Sequence, residues 1–168
     1  MTLPPKKYRP NVGIMLINEK TEVFVGQRID SLSNAWQMPQ GGIDKNETVD
    51  MAAFRELREE TGIDQSLVYL EAITKRWVYY DFPSNLASKL WDGNFIGQKQ
   101  RYCLMRFLGK DSQVNIKTEN PEFSAWKWVN IDRLEHNIVK FKREAYRQVV
   151  SEFKYYLNSN TTYVGDRS

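Results

Sequence analysis

Residues 41–63 read GGIDKNETVDMAAFRELREETGI, and this stretch decides the fold. The Gly41-Gly42 pair interrupts regular structure and predicts a turn. The spacing beyond it predicts a helix from near Thr48 to Gly62. Thr48 can cap the N-terminus, and Glu47 and Asp50 suit that positive end. Ala53, Phe54 and Leu57 make an apolar stripe. Gly62 is the residue type that stops a helix. Glu56, Glu59 and Glu60 then stand at i, i+3 and i+4, within about 100° of one helical face. Like charges so placed repel by about a few tenths of a kcal/mol per pair. A solvated face of good helix formers is one reading. A ligand set for a hard divalent cation such as Mg²⁺, which prefers oxygen, is the other. Arg55, four residues before Glu59, can hold one carboxylate by a bidentate pair. Spacing alone leaves both readings open.

Outward from the helix, Val12–Ile17 and Val23–Gln27 read as strands joined at Asn18-Glu-Lys-Thr21. Gly26 marks a bulge or a close backbone approach. Ser31–Gln40 reads as loop. Val68–Ile73, Lys75–Phe82, Lys99–Leu108 and Trp126–Val129 read as strands, with Arg101 and Arg106 breaking strict alternation. Residues 83–97 read as loop. A second helix is expected over Lys142–Leu157, because Phe141, Ala145, Val149 and Phe153 recur every fourth residue. Strands with two substantial helices predict a mixed sheet with helices on its faces. Residues 1–158 are expected to form one domain. The polar stretch after it, residues 159–168, reads as a frayed tail.

The 168 residues are 41% hydrophobic and 27% charged, a globular composition. A chain of this length buries roughly 70% of its extended surface and needs no staple. The formal net charge of +3 permits an anionic partner without requiring one. The single cysteine, Cys103, excludes an internal disulfide and a cysteine-rich metal site, and fits a reducing compartment. The apolar run Val12–Ile17 ends at Asn18, too short for a membrane span or a signal-peptide core. No membrane association and a cytoplasmic location are the expectations. A Gly-x-x-x-x-Gly-Lys-Ser/Thr phosphate loop is absent, as is a Gly-x-Ser-x-Gly nucleophile elbow. His136, the one histidine, cannot build a histidine metal cluster and reads as a loop or surface residue.

The 41–63 stretch resembles the Nudix box, Gly-x5-Glu-x7-Arg-Glu-U-x-Glu-Glu-x-Gly-U with U aliphatic. It matches at Gly41, Glu47, Arg55, Glu56, Leu57, Glu59, Glu60, Gly62 and Ile63. The resemblance implies an α/β fold, a Nudix-type α/β/α sandwich with a mixed β-sheet. It implies hydrolysis of a nucleoside diphosphate linked to another moiety. Glu56, Glu59 and Glu60 would bind metal, Arg55 would pair with a carboxylate of the cluster, and Glu47 would support the loop or an outer metal shell. Gly41 would allow the sharp loop. Further stretches resemble a narrower branch, the bacterial RNA 5′-pyrophosphohydrolases and their dinucleoside polyphosphate hydrolase relatives. These are Tyr8–Gly13 (YRPNVG), Trp36–Gly42 (WQMPQGG), Gly97–Gln100 (GQKQ), Pro121–Phe123 (PEF) and Phe141–Arg143 (FKR). The branch adds Glu122 to the metal site. Met38 does not decide between the two substrates.

The expected reaction is attack of water on a phosphoanhydride, with Mg²⁺ or Mn²⁺, two to three ions, held by Glu56, Glu59, Glu60 and Glu122. Glu59 is the first choice to take the proton from water and Glu56 the second. Arg9, Gln40, Gln98 and Lys99 are candidate phosphate contacts; Lys99 reads equally as a rim charge. Lys140, Lys142, Arg143 and Arg147 cluster beside Phe141, whose ring is expected to stack on a base while cations meet the backbone. The favoured substrate is the 5′ end of RNA, leaving a monophosphate end of the kind that feeds mRNA decay. Diadenosine tetra- or pentaphosphate cleavage is the close alternative. A silent RNA-binding module of the same fold is the alternative from another class, disfavoured by the intact glutamate set. A regulatory protein partner and the oligomeric state are not legible in the sequence.

Overall fold

The computed structural model describes residues 7–30 and 34–158. Among them, eight strands form one sheet: β1 Tyr8–Ile17, β2 Val23–Arg28, β3 Trp36–Gln37, β4 Gln40–Gly42, β5 Val68–Ile73, β6 Val78–Asp81, β7 Gly97–Phe107 and β8 Phe123–Val129. The helices are α1 Val49–Thr61, two short ones, α2 Ser84–Ala87 and α3 Leu134–Asn137, and the long α4 Arg143–Asn158. The spine is β1 against β7, paired in parallel from Tyr8↔Gly97 to Ile17↔Arg106. The other pairings among the described residues are antiparallel. β1 also pairs β4, with Val12 opposite Gly41, which brings the Gly-Gly turn to the middle of the sheet.

Both faces of the spine are buried, so β1 reads as a continuous apolar run. Val12, Ile14 and Leu16 face α1 with Cys103, Met105 and Phe107, and meet Ala53 and Leu57. Met15 and Ile17 face the other way with Tyr102 and Leu104, and meet Ala145, Tyr146, Val149 and Phe153 of α4. This alternation makes the expected α/β/α sandwich. Burial pushes the Cys103 thiol up to about 12, so it packs as a small hydrophobe.

Several boundaries differ from the sequence reading. β1 starts at Tyr8, four residues early, because Tyr8–Asn11 find partners in Gly97–Gln100, a pairing only the tertiary fold supplies. Lys75–Trp77 stay outside β6, and only Val78–Asp81 pair with β7. Residues 83–97 carry α2 and a 3-10 turn, Leu90–Gly93, rather than plain loop. Trp36–Gln37 and Gln40–Gly42, inside or beside the expected loop, are short strands; residues 31–33 lie outside the described residues. At Gly26 the close approach is real: the Phe123 ring occupies the space a Cβ would take. The bulge falls one step later, between Gln27 and Arg28. The expected tail, residues 159–168, lies outside the described residues. Among the described residues no helix is long and apolar enough to cross a membrane.

The caps of α1 match their sequence signals. The Met51 N–H donates to the Thr48 hydroxyl at 3.4 Å. At the other end Gly62 is left-handed, φ 70°, and its N–H donates to the Arg58 carbonyl at 2.9 Å. A Cβ there would also lie 2.8 Å from the Asn115 carbonyl oxygen. Gly62→Ala should therefore lower unfolding free energy by about 1–2 kcal/mol or more in urea titration. Gly62→Asn tolerates the left-handed backbone but meets the same carbonyl, so its stability should fall between those of wild type and Gly62→Ala.

Candidate active site

A single guanidinium organises the site. Arg55 Nε and Nη2 donate to the two Glu47 carboxylate oxygens, each at 2.8 Å. Its Nη1 donates to Glu56 at 2.8 Å and to Glu59 at 3.3 Å. Its Nη2 also reaches the Gly42 carbonyl at 2.9 Å. One side chain thus ties the Gly-Gly turn to three carboxylates. The Glu56 carboxylate lies against Gly41 so closely that any Cβ there would overlap it. Bidentate pairing with Arg55 pushes Glu47 down to about 2.

Glu56, Glu59, Glu60 and Glu122 all line one open cavity of about 880 Å³ on the α1 side, floored by that helix and walled by residues 118–122. Their environments differ. The Glu59 side chain is 59% exposed and the Glu56 side chain 13%. Glu60 is 4% exposed, and among the described residues its one donor is the Gln40 N–H at 3.2 Å. Burial, then repulsion from Glu56 and Glu122, raises Glu60 well above the ordinary glutamate value. Burial also raises Glu56, partly offset by Arg55. Glu122 is exposed, and its backbone is fixed where Ile29 N–H donates to its carbonyl at 3.0 Å.

Among the described residues no three His, Cys, Asp or Glu side chains are already gathered into a closed ligand set. The four carboxylates share the cavity, while Arg55 holds Glu56 and Glu59 toward itself. The donor chemistry nevertheless fits a hard divalent cation. It is all oxygen, it includes a buried carboxylate with one long donor, and its members repel. The Thr118 hydroxyl in the cavity wall is buried with no hydrogen-bond partner among the described residues.

The expected phosphate contacts divide between two faces of the sheet. Gln40 and Gln98 belong to a buried polar block on the α4 side. There Gln100 Nε2 donates to Asn11 at 2.7 Å and to Gln40 at 2.9 Å. The Tyr80 hydroxyl donates to Gln98. Lys142, expected on a basic surface, is buried, with its Nζ donating to Gln37 at 3.4 Å. Burial and the nearby Arg28 push it down to about 7, opposed by Glu60. Arg147 of the same basic run is spent on Glu135 and Glu144. Phe141 is half-buried with its ring 5.9 Å from Tyr80. Arg9 sits beside Gly42, its guanidinium 4.6 Å above the Trp91 ring. Lys99 points to the opposite face from Gln98 and Gln100, and its Nζ lies 4.7 Å from the Trp77 ring.

Sequence reasoning passes over Arg28, Asn11, Gln100, Tyr80 and Trp91. Arg28 is held by Asp30 through two bonds, at 2.8 and 2.7 Å, and its charge acts on Glu122 and Glu60. Gln98 and Gln100 two apart on a strand are a usable signal, since such a pair shares one face. Nothing local marks Arg28.

The chain matches the NUDIX domain over residues 7–149. An RNA pyrophosphohydrolase of Rickettsia conorii is 52% identical over 147 residues, covering 88% of this chain and 90% of that protein. Among solved structures, an E. coli dihydroneopterin triphosphate pyrophosphohydrolase superposes with TM-score 0.68 at 23% identity, over 87% of this chain and 99% of that one. A C. elegans Ap4A hydrolase gives TM-score 0.61 at 16% identity, over 86% and 98%. At those identities the two structures speak for the fold alone. A domain match of that length, with a bacterial relative sharing half its residues over nearly the whole chain, establishes that this chain belongs to the Nudix family.

Proposed function

We propose that this protein is a metal-dependent RNA pyrophosphohydrolase of the cytoplasm that converts 5′-triphosphate or diphosphate RNA ends to 5′-monophosphate. Residues 1–158 form its catalytic domain. The observation that carries the chemistry is that Glu56, Glu59, Glu60 and Glu122 all line one cavity, one of them a buried carboxylate repelled by its neighbours. The RNA substrate is supported by the 52% identical relative of that name.

Glu56, Glu59, Glu60 and Glu122 hold Mg²⁺ or Mn²⁺ in this reading, with two to three ions per site. Such ions supply positive charge to phosphate oxygens and lower the pKa of water. The protein's own groups do the rest. Glu59, the most open of the three helix carboxylates, takes the proton of the attacking water. Glu56, pinned by Arg55, is the second choice for that step. Arg55 keeps the carboxylates oriented. Arg9 reaches the 5′ phosphates from beside Gly42, and the polar block behind the glutamates fixes Gln40 and Gln98 as donors. The Phe141 edge stacks on a base, with the buried Lys142 ammonium group behind it on Gln37. The water oxygen bonds to phosphorus, the anhydride opens, and pyrophosphate or successive phosphates leave.

Glu56→Gln and Glu60→Gln should each lower kcat by on the order of 10²-fold or more at saturating Mg²⁺, with the fold intact by circular dichroism. Near-normal turnover in both variants would sink the assignment. Comparing kcat/KM for 5′-triphosphorylated RNA and diadenosine tetraphosphate decides the substrate; a clear preference for the dinucleotide would replace RNA.

The raised Glu60 carries a second expectation. Because folding raises it, the stability it contributes is present below its ordinary value of 4.5 and is lost as pH rises through its folded value. In chelator, Glu60→Gln should therefore melt above wild type, by a margin that widens from about pH 4.5 upward. Saturating Mg²⁺ should reverse the order by stabilising wild type more. Calorimetry with and without metal measures both.

A further inference from the structure

One sheet face beyond the reach of α1 carries aromatic rings and cations together. Side chains of Tyr8, Lys99, Arg101 and Tyr79 point to the same side as Val12 and Cys103, by strand alternation and register. Tyr8 and Tyr79 meet edge to face, with centroids 5.0 Å apart. The Tyr8 hydroxyl donates to Asp81 at 2.6 Å, which locks that ring and occupies the patch's carboxylate. Lys99 Nζ rides 4.7 Å above Trp77. Tyr79 is 51% exposed. Among the described residues no carboxylate lies within ion-pair distance of Lys99, Lys75 or Arg76.

Tyr79, exposed at the sheet edge beside the half-buried Tyr8 and Trp77, presents aromatic surface to solvent, which marks a contact surface. Rings interleaved with cations fit one ligand chemistry, a flexible polyanion bearing flat bases. The three strands β1, β7 and β6 lie side by side, so the patch is about 10 Å across at about 4.8 Å per strand gap. That is room for about two to three bases at about 3.4 Å each.

Its position ties it to the reaction. Tyr8 on this face and Arg9 on the other are consecutive. One step along β1 from Pro10, Asn11 pairs with Gly42, whose carbonyl receives Arg55. The glutamate cavity lies on the α1 side, the side to which Tyr8 and Lys99 also point, so a strand of RNA with its 5′ phosphates at the glutamates can continue along that side past the end of β1 onto this patch. Resting on the RNA pyrophosphohydrolase reading, we propose that Tyr79, Trp77 and Tyr8, with Lys99 and Arg101, form a platform for the single-stranded body of the RNA downstream of its 5′ end. Lys99 thus contacts backbone phosphates outside the 5′-phosphate pocket, which explains why it faces away from Gln98.

The test uses the full chain and two readouts. In hydrolysis, Tyr79→Ala should raise KM for a 5′-triphosphorylated single-stranded 12-mer by on the order of 10-fold, with kcat unchanged. The same variant should act on a triphosphorylated dinucleotide as wild type does, and Tyr79→Phe should restore the 12-mer. In binding, a 5′-hydroxyl 12-mer, which offers no scissile anhydride, should bind wild type and bind Tyr79→Ala and Trp77→Ala on the order of 10-fold more weakly, by fluorescence anisotropy. Lys99→Gln should flatten the salt dependence of that binding. Equal behaviour of Tyr79→Ala and wild type on the 12-mer in both readouts overturns the platform, as does equal loss on both RNA lengths. A wild type that hydrolyses neither RNA overturns the proposed function instead, and the hydroxyl oligonucleotide still decides the platform.

Discussion

The site hangs on Arg55. Its planar fork meets Glu47 with two parallel bonds, takes Glu56 on a third, leans on Glu59 and anchors the Gly42 carbonyl. Without that hub, Glu56 and Glu59 would be free to splay apart, and the Gly-Gly turn would lose the guanidinium that its Gly42 carbonyl accepts from. The hub is partly buried, where charge-assisted bonds are stronger than at an open surface. It also explains the crowding at Gly41: the turn can come down on Glu56 only where no side chain intervenes.

Behind the hub the protein accepts an electrostatic cost. Glu60 is buried with one weak donor, Lys142 is buried with one long acceptor, and Arg28 stands near both. None of these arrangements stabilises a metal-free chain. Together they gather buried charge behind the open cavity, where electrostatic interactions are stronger than in bulk water. The trade of stability for a charged interior is the usual one for an enzyme site.

Much of this architecture is legible in the linear chain. The Thr48 cap, the Gly62 stop and the acidic spacing are local chemistry, and local chemistry survives into the fold. The α4 stripe of Ala145, Val149 and Phe153 likewise comes through intact. The illegible parts depend on distant partners. The early start of β1 needs Gly97–Gln100 beside it. Lys142 looks like a surface cation until Gln37 and Tyr80 close over it. Lys99 and Gln98 are neighbours in sequence but belong to opposite sides of a sheet, so a shared role can be judged only once the strand is placed. Glu122 has no local mark; only its resemblance to a known pattern singles it out.

The rigid thirteen-residue span of α1 has a consequence for how this chain can change length. Each residue added or removed between the Thr48 cap and Glu60 rotates the C-terminal part of the helix by about 100° and advances it by about 1.5 Å. A single insertion would therefore swing Glu60 out of the cavity and bring an apolar stripe residue into the water. The 84–96 and 109–120 connections have no such helical phase to keep, and what fixes them are single contacts, Trp91 under Arg9, Asn115 on Thr61 and Thr118 in the cavity wall.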